Sequence, residues 1–344
     1  MVLIMNKEKI GTGRDENRIP LYQVVPLKVP FSIGIGISDF CNFKCVYCTH
    51  SVQSPNARQE KMLSWEEFIH IIDNINELCK TNGNAKIKNF SICGLGEPLT
   101  CKKLPEMVDY IRRQDFTERI EITTNGSLLT HSLSDELVAA GLTRLLISVQ
   151  GVNAEAYKRI CGYNIDFEKF VAEIEYFYQN RQQCKVYIKT LDAALNENEQ
   201  ALFYNIFTPI ADMVNIEHME RVFEDVDYTG IMSNLEEKKT RYGYEWRERK
   251  CCDSLFMRMN INTNGGVDAC GCQQPSLSIG NLFQKPLSKI WNGELHKKYM
   301  EMNLSGIRHK IPRCARCDIM ALGGHPMDNL DEHLDEILER LKKF

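Results

Sequence analysis

The stretch Cys41-Asn-Phe-Lys-Cys45-Val-Tyr47-Cys48 places three cysteines within eight residues. It follows an isoleucine-rich run, 32–38, that predicts a β-strand. The cysteines therefore lie on the loop at the C-terminal end of that strand. Three thiolates there can bind three irons of a 4Fe-4S cluster and leave the fourth iron without a protein ligand.

Beyond this loop, short β-branched runs alternate with amphipathic helical stretches as far as about residue 219. The predicted strands are 32–38, 87–93, 119–124, 144–149, 185–191 and 213–218. The predicted helices are 64–79, 103–113, 132–140, 167–178 and 197–206. Six such repeats predict an α/β fold with an open, partial (β/α)6 TIM-like barrel, in which sites lie at the C-terminal ends of the strands.

Composition restricts the class of protein. The 344 residues include 42 basic and 46 acidic side chains, so no basic field is available for nucleic acid. No apolar run reaches the roughly 18–20 residues of a membrane span, and the N-terminus is too polar for a signal peptide. We therefore expect a soluble, cytoplasmic protein with no membrane partner. Its 14 cysteines then indicate metal binding or catalysis rather than disulfides.

Short polar motifs follow the next three predicted strands. Gly94 and Gly96 precede Glu97, and glycines let a backbone approach a ligand while the carboxylate can accept from an ammonium group. Thr124-Asn125 follows the third strand, and Ser148 follows the fourth. Each motif alone is also an ordinary turn, so the inference depends on their regular placement.

These motifs resemble those of the radical S-adenosylmethionine (SAM) superfamily, above all through the cysteine stretch. The resemblance implies that SAM binds the open iron and is cleaved to a 5'-deoxyadenosyl radical, with a reductant such as flavodoxin or ferredoxin. It also implies that Tyr47 packs near the adenine. The other SAM contacts implied are Gly94, Gly96 and Glu97 around the amino group, and Thr124, Asn125 and Ser148 around the ribose and carboxylate. A zinc site is the alternative use of the cysteines.

The sequence departs from that family at two positions. Gln150 stands where many relatives have aspartate, and Cys161 precedes Gly162 where many have arginine. Arg159 is therefore a candidate replacement for the arginine that binds the SAM carboxylate. Lys189, on the fifth predicted strand, is a further candidate contact.

A second group of cysteines follows a charged stretch, 225–250, that breaks the alternation. Residues 257–269 predict a β-hairpin around Asn264-Gly265. Cys252 and Cys270 bracket the hairpin, a helix is predicted over 287–302, and the last segment, 329–342, predicts a capping helix. This region resembles the SPASM/twitch domains, which implies one auxiliary 4Fe-4S cluster. The implied ligands are Cys252, Cys270, Cys314 and Cys317. Two clusters, as in a full SPASM domain, are the alternative, although they would need about seven ligands and only six cysteines are present here.

Two questions stay open in this region. Cys251 or Cys272 could replace a neighbouring ligand, and a zinc ribbon would have similar spacings. The predicted domains are an N-terminal extension (1–30), a radical SAM partial barrel (31–224), a linker (225–250), a small α+β SPASM/twitch domain (251–320) and a C-terminal helix (321–344).

The predicted function is a radical SAM oxidoreductase of the dehydrogenase or epimerase type, in which the auxiliary cluster aids oxidation or epimerisation. Glu217, His218 and Arg221 end the sixth strand and are catalytic candidates by position, one of them as a base. The spacing of the auxiliary cysteines resembles aminocyclitol dehydrogenases, which favours a sugar, aminocyclitol or nucleotide-linked carbohydrate. The alternatives are a maturase of ribosomal peptides and a non-catalytic iron–sulfur or zinc scaffold.

Overall fold

The computed structural model describes residues 7–13, 18–52, 60–231, 240–270, 277–317, 320 and 324–344. Its first six strands are parallel and stand side by side in chain order. They are β1 (Ser32–Ile35), β2 (Asn89–Ile92), β3 (Ile120–Thr124), β4 (Arg144–Ser148), β5 (Lys185–Leu191) and β6 (Met213–Glu217). The predicted open α/β barrel is confirmed, with several strands shorter than the sequence pattern indicates.

Helices connect consecutive strands after β1. They are α1 (Trp65–Thr81), α2 (Leu104–Gln114), α3 (His131–Ala139), α4 (Ala154–Cys161), α5 (Phe167–Asn180) and α6 (Glu197–Phe207). A reciprocal capping box between Ser64 and Glu67 fixes the start of α1. The eight-residue helix α4 was not predicted. Its first turn is capped by the Asn153 side chain, and it ends at Gly162, whose φ of 62° suits a glycine.

The C-terminal region extends the same sheet. It contributes α7 (Ser254–Met257), β7 (Arg258–Ile261), β8 (Gly266–Asp268), β9 (Ser278–Asn281), α8 (Leu287–Ile290), α9 (Glu294–Leu304), α10 (Pro312–Ala315) and α11 (Leu334–Lys343). Strand β7 pairs in parallel with β1, and β8 and β9 follow antiparallel. The predicted hairpin is therefore present, and its first strand joins the auxiliary region directly to the barrel.

The predicted helix 287–302 is instead two helices, α8 and α9. Asn292 between them has a φ of 59°, which an α-helix does not allow. Gly293 follows with its backbone so close to α8 that a Cβ would lie 2.4 Å from the Lys289 carbonyl oxygen. The apolar pattern runs through this break, which is why the sequence indicates one helix.

The two faces of the strands differ in chemistry. Outward residues such as Ile33, Phe90 and Ile188 are fully buried in the hydrophobic core. Inward positions carry polar residues, among them Glu121 and Lys189. Because these inward residues are polar, the barrel surrounds a polar cavity. Most barrel interiors are instead filled by branched apolar side chains. In the described part of the chain, no helix combines the length and apolar character that a membrane crossing requires.

Candidate active site and auxiliary cysteine site

A cavity of about 700 Å³ occupies the interior of the barrel, and its lining extends from the first residues of several strands to the loops at their C-terminal ends. It brings together residues that are far apart in the sequence. The predicted site residues that line it are Cys41, Cys45, Cys48, Tyr47, Gly94, Gly96, Glu97, Thr124, Asn125, Ser148, Lys189 and Glu217.

The loop that carries the three cysteines is held by the end of α4. The Lys44 amide donates to the Cys161 carbonyl, and the Val46 amide donates to the Ile160 carbonyl, each at 2.9 Å. These carbonyls belong to the last turn of α4, where helix carbonyls lack partners within the helix. Cys45 is therefore fixed between two backbone hydrogen bonds.

The Cys45 thiol also contacts a fourth cysteine. Cys161 lies beside Cys45, and its thiol together with burial raises the pKa of the Cys45 thiol. Burial likewise raises the pKa of Cys41 to about 12, with the charges of Glu97 and the other two loop cysteines acting in the same direction. Uncharged thiols are thus favoured in the protein without metal, and a cationic cluster would reverse that preference.

Glu97 is the centre of a buried hydrogen-bond network. Its carboxylate accepts from the Thr124 hydroxyl at 2.6 Å, the Asn125 amide at 2.7 Å and the Leu99 amide at 3.0 Å. Burial nevertheless raises the pKa of Glu97, because desolvation outweighs these three donors. An ammonium group placed beside this carboxylate would restore the charged form.

The glycines of this loop are required by close packing. A Cβ on Gly96 would lie 2.0 Å from the Ser38 carbonyl oxygen, and one on Gly94 would lie 3.1 Å from the Cα of Gly36. The loop after β2 therefore lies directly against the backbone that leads to the cysteines. This packing places Glu97 near Cys41.

Several buried polar atoms on the cavity wall fit a polar ligand. The Tyr47 hydroxyl, the Gln150 side-chain oxygen and the Thr190 hydroxyl are buried and have no hydrogen-bond partner among the described residues. Buried polar atoms normally have partners, so these three indicate a missing polar molecule. With three thiols on one loop and a buried carboxylate beside them, the residues present fit a 4Fe-4S cluster with SAM.

At the end of β6, Glu217 stands between two cations on the cavity wall. Its carboxylate lies 2.7 Å from the Lys189 ammonium and 3.2 Å from Nε of Arg241, while the Tyr187 hydroxyl donates to it at 3.4 Å. Sequence reasoning did not identify Tyr187, Thr190 or Arg241. Tyr187 is two residues before Lys189 on β5, so strand alternation could have found it, whereas no local signal marks Arg241.

Three candidates do not reach the cavity wall. Arg159 is exposed on α4. His218 turns to Asp192, with 2.5 Å between Nδ1 and the carboxylate. Arg221 is exposed on a separate surface pocket. Their proposed roles in SAM binding and catalysis stay predictions.

The second cysteine group converges from three segments of chain. Burial raises the pKa of Cys252, and the nearby Asp253, Cys317 and Cys270 raise it further. Burial and the neighbouring Cys317 raise the pKa of Cys314. The Arg308 guanidinium donates to the Cys314 carbonyl at 2.6 Å and thereby fixes the loop around α10.

The four thiols fit a closed cluster as a donor set, because each would bind one iron. Cys251 is buried and lies against Cys252 and Asp331, and Cys272 lies outside the described residues. No disulfide joins the described cysteines. Within those same residues, no group of three or more histidine, cysteine, aspartate or glutamate side chains stands close enough to hold a metal ion as placed.

Comparison with known proteins agrees with this geometry. A model of the radical SAM superfamily matches residues 35–192, and a model of SPASM, an iron-sulfur cluster-binding domain, matches 251–318. A protein named "Probable GTP 3',8-cyclase" from Methanococcus vannielii is 31% identical over 271 residues, covering 74% of this chain and 84% of that protein. The GTP 3',8-cyclase of Lactiplantibacillus plantarum is 36% identical over 134 residues, which span 39% of this chain and only 38% of the cyclase.

Solved structures share the fold at low identity. BtrN in complex with AdoMet and 2-DOIA aligns with a TM-score of 0.52 and 18% identity, over 84% of this chain and 93% of BtrN. AnSMEcpe with bound AdoMet gives 0.58 and 15%, over 91% of each chain. Streptococcus suis SuiB bound to the precursor peptide SuiA gives 0.56 and 16%, over 90% of this chain and 74% of SuiB. These structures show the shared fold, while the family models and the relative from Methanococcus vannielii show that this chain belongs to the radical SAM superfamily and carries a C-terminal SPASM iron-sulfur domain.

Proposed function

We propose that this protein is a radical SAM oxidoreductase that oxidises or epimerises a hydroxyl-rich small molecule: a sugar, an aminocyclitol or a nucleotide-linked carbohydrate. The observation that carries the proposal is the Lys189–Glu217–Arg241 cluster in the same cavity as the three loop cysteines. A charged group of this kind inside a barrel binds polar substrate groups rather than apolar ones.

The loop cysteines Cys41, Cys45 and Cys48 would hold the open cluster, and Glu97 would bind the SAM ammonium. When bound, the cluster and SAM supply the radical that abstracts hydrogen from a substrate carbon. The side chains of Thr124, Asn125 and Ser148 orient SAM from the adjacent strand ends. The thiols of Cys252, Cys270, Cys314 and Cys317 would hold the auxiliary cluster, which would supply electron-transfer chemistry when bound.

Glu217 is the proposed proton acceptor for a substrate hydroxyl. It is 2% exposed and lies in the cavity, so a hydroxyl beside it would be shielded from water. Lys189 and Arg241 orient its carboxylate and can donate to neighbouring hydroxyl oxygens. Of the three catalytic candidates, Glu217 therefore receives this role.

Two structural neighbours point to different classes of substrate. BtrN was solved with 2-DOIA in its complex, which favours a small molecule. SuiB was solved with a precursor peptide, so a ribosomal peptide is the second candidate. The ion pairs of the cavity favour the first, because they offer charged hydrogen-bond partners in an enclosed space.

The test is a substrate panel with the reconstituted protein, SAM and dithionite under anaerobic conditions. Aminocyclitols, nucleotide sugars and ribosomal precursor peptides are incubated separately, and mass spectrometry measures 5'-deoxyadenosine and product. We expect Glu217→Gln to lose at least about 100-fold in product while still forming 5'-deoxyadenosine, since a general base contributes roughly 10²–10⁴-fold. The exposed Glu118→Gln is the control.

Three results would contradict the proposal in whole or in part. Product from a peptide alone would assign the second candidate, and absence of 5'-deoxyadenosine from iron-loaded protein would leave a non-catalytic scaffold. Unchanged turnover in Glu217→Gln would remove the assigned proton acceptor.

A further inference from the structure

The contact between Cys161 and Cys45 has no role in the function proposed above. Cys161 is 1% exposed and is the last residue of α4. Its carbonyl accepts from the amide of Lys44 at 2.9 Å, and its thiol lies close enough to Cys45 to raise the pKa of that thiol. Both the side chain and the backbone of Cys161 are therefore directed at the loop that carries the three cysteines.

Aromatic side chains shield one side of this contact from water. Tyr157, one turn earlier on α4, is fully buried, and Phe43 of the cysteine loop packs edge-on against it with ring centroids 5.9 Å apart. Phe43 also contacts Tyr163 at 4.8 Å. A weak S–H donor matters more in such a site than in water, because the local dielectric is low.

We propose that Cys161 is a positioning residue that donates an S–H hydrogen bond to the sulfur of Cys45 when that sulfur binds iron, and thereby makes the open cluster easier to reduce. The inference rests on the proposed function, in which Cys45 is a cluster ligand. Hydrogen bonds to the cluster sulfurs are one of the factors that set the reduction potential of an iron–sulfur centre.

The position of α4 explains why a donor is needed there. The C-terminal end of a helix carries a partial negative charge, which opposes the addition of an electron to a nearby cluster. The amides of Lys44 and Val46 neutralise the Cys161 and Ile160 carbonyls. The Cys161 thiol would add a hydrogen-bond donor directly to the Cys45 sulfur, which carries part of the negative charge of the reduced cluster.

The test compares Cys161→Ala, which removes the donor, with Cys161→Ser, which keeps a hydroxyl donor. Cys79→Ala on α1 is the matched control, since Cys79 is also a buried thiol, and burial alone raises its pKa, with no contribution from the loop cysteines. The midpoint potential of the SAM-responsive cluster is measured by redox titration followed by EPR, and iron content is counted in each protein.

We expect full iron content in each variant and a more negative potential in Cys161→Ala. A tenfold weaker reduction equilibrium corresponds to about 59 mV for one electron. Cys161→Ser should recover part of the shift, and Cys79→Ala should show none.

Equal potentials in wild type and Cys161→Ala would overturn the inference, as would a serine variant no different from alanine. Loss of iron in both Cys161 variants would also overturn it, because the thiol would then hold the cluster rather than tune it. A wild-type protein without any SAM-responsive signal would instead refute the proposed function.

Discussion

The two cysteine sites are built in different ways. The first takes Cys41, Cys45 and Cys48 from a single eight-residue loop, and α4 fixes that loop by backbone hydrogen bonds. The second collects Cys252, Cys270, and the Cys314–Cys317 pair from three segments. The first is therefore largely encoded locally, whereas the second exists only when α7, the β7–β8 hairpin and α10 have packed together.

This difference has a chemical counterpart. In the proposed function, the loop with three thiols would leave one iron open beside Glu97, where SAM would bind. Four thiols from three segments would close a cluster and would join those segments as well. One site is thus suited to reaction, and the other to structure and electron transfer.

We expect the largest effect from substituting one cysteine in each site, because only the first site should be needed for SAM cleavage. Cys45→Ala should lower iron from about eight to about four per chain and abolish 5'-deoxyadenosine formation. Cys252→Ala should lose a similar amount of iron but retain SAM cleavage, because the open cluster is intact. Iron and sulfide analysis with EPR, before and after SAM, measures both. SAM cleavage by Cys45→Ala, or zinc in place of iron, would disprove this division.

Acid should lower the free energy of unfolding through His296, which lies in the C-terminal region that carries the auxiliary cysteines. This side chain of α9 is fully buried, and its Nδ1 accepts from the Asn292 amide at 3.2 Å while Nε2 donates to the Leu255 carbonyl at 2.8 Å. Burial lowers its pKa to about 4. The unfolded chain binds a proton on this histidine near pH 6.5, whereas the folded protein does so only near pH 4. The free energy of unfolding is therefore highest above about pH 6.5 and falls by about 3 kcal/mol as the pH is lowered towards 4.

Urea unfolding between pH 7 and 4 tests this expectation. His296→Gln should show a smaller loss of unfolding free energy than wild type, since glutamine does not gain a charge. His309→Gln is the control, because His309 is exposed. The same pH dependence in wild type and His296→Gln would show that other groups govern acid sensitivity.

The smallest effect should come from the segment that links the two sites. Glu224 pairs with Arg313 and Arg316, which flank Cys314, and the neighbouring Asp225 accepts from Thr49 beside Cys48. Glu224→Gln should lower the unfolding free energy by only about 0.5–1 kcal/mol, because the pairs are partly exposed. The difference should shrink in high salt. Urea titrations beside Glu245→Gln measure it, and a loss much above this range would mean that the two sites are strongly coupled.

Sequence patterns predicted most of the barrel because each strand and helix carries its own periodicity. Helix α4 escaped prediction, as it spans only eight residues and its start depends on the Asn153 cap. The break between α8 and α9 escaped because the apolar pattern continues across Asn292 and Gly293. Both errors concern positions where backbone geometry, rather than hydrophobic spacing, decides the structure.

The sequence by itself determined the cysteine loop and its place after β1, since both depend on residues that are adjacent in the chain. It also placed Glu97, Thr124 and Ser148 at strand ends, because parallel strands align their C-terminal ends at one edge. Only the tertiary structure decided that Arg241 meets Glu217, that Cys161 touches Cys45, and that β7 pairs with β1. These contacts join residues far apart in the chain, and their formation depends on how the buried surfaces pack, which local sequence patterns do not record.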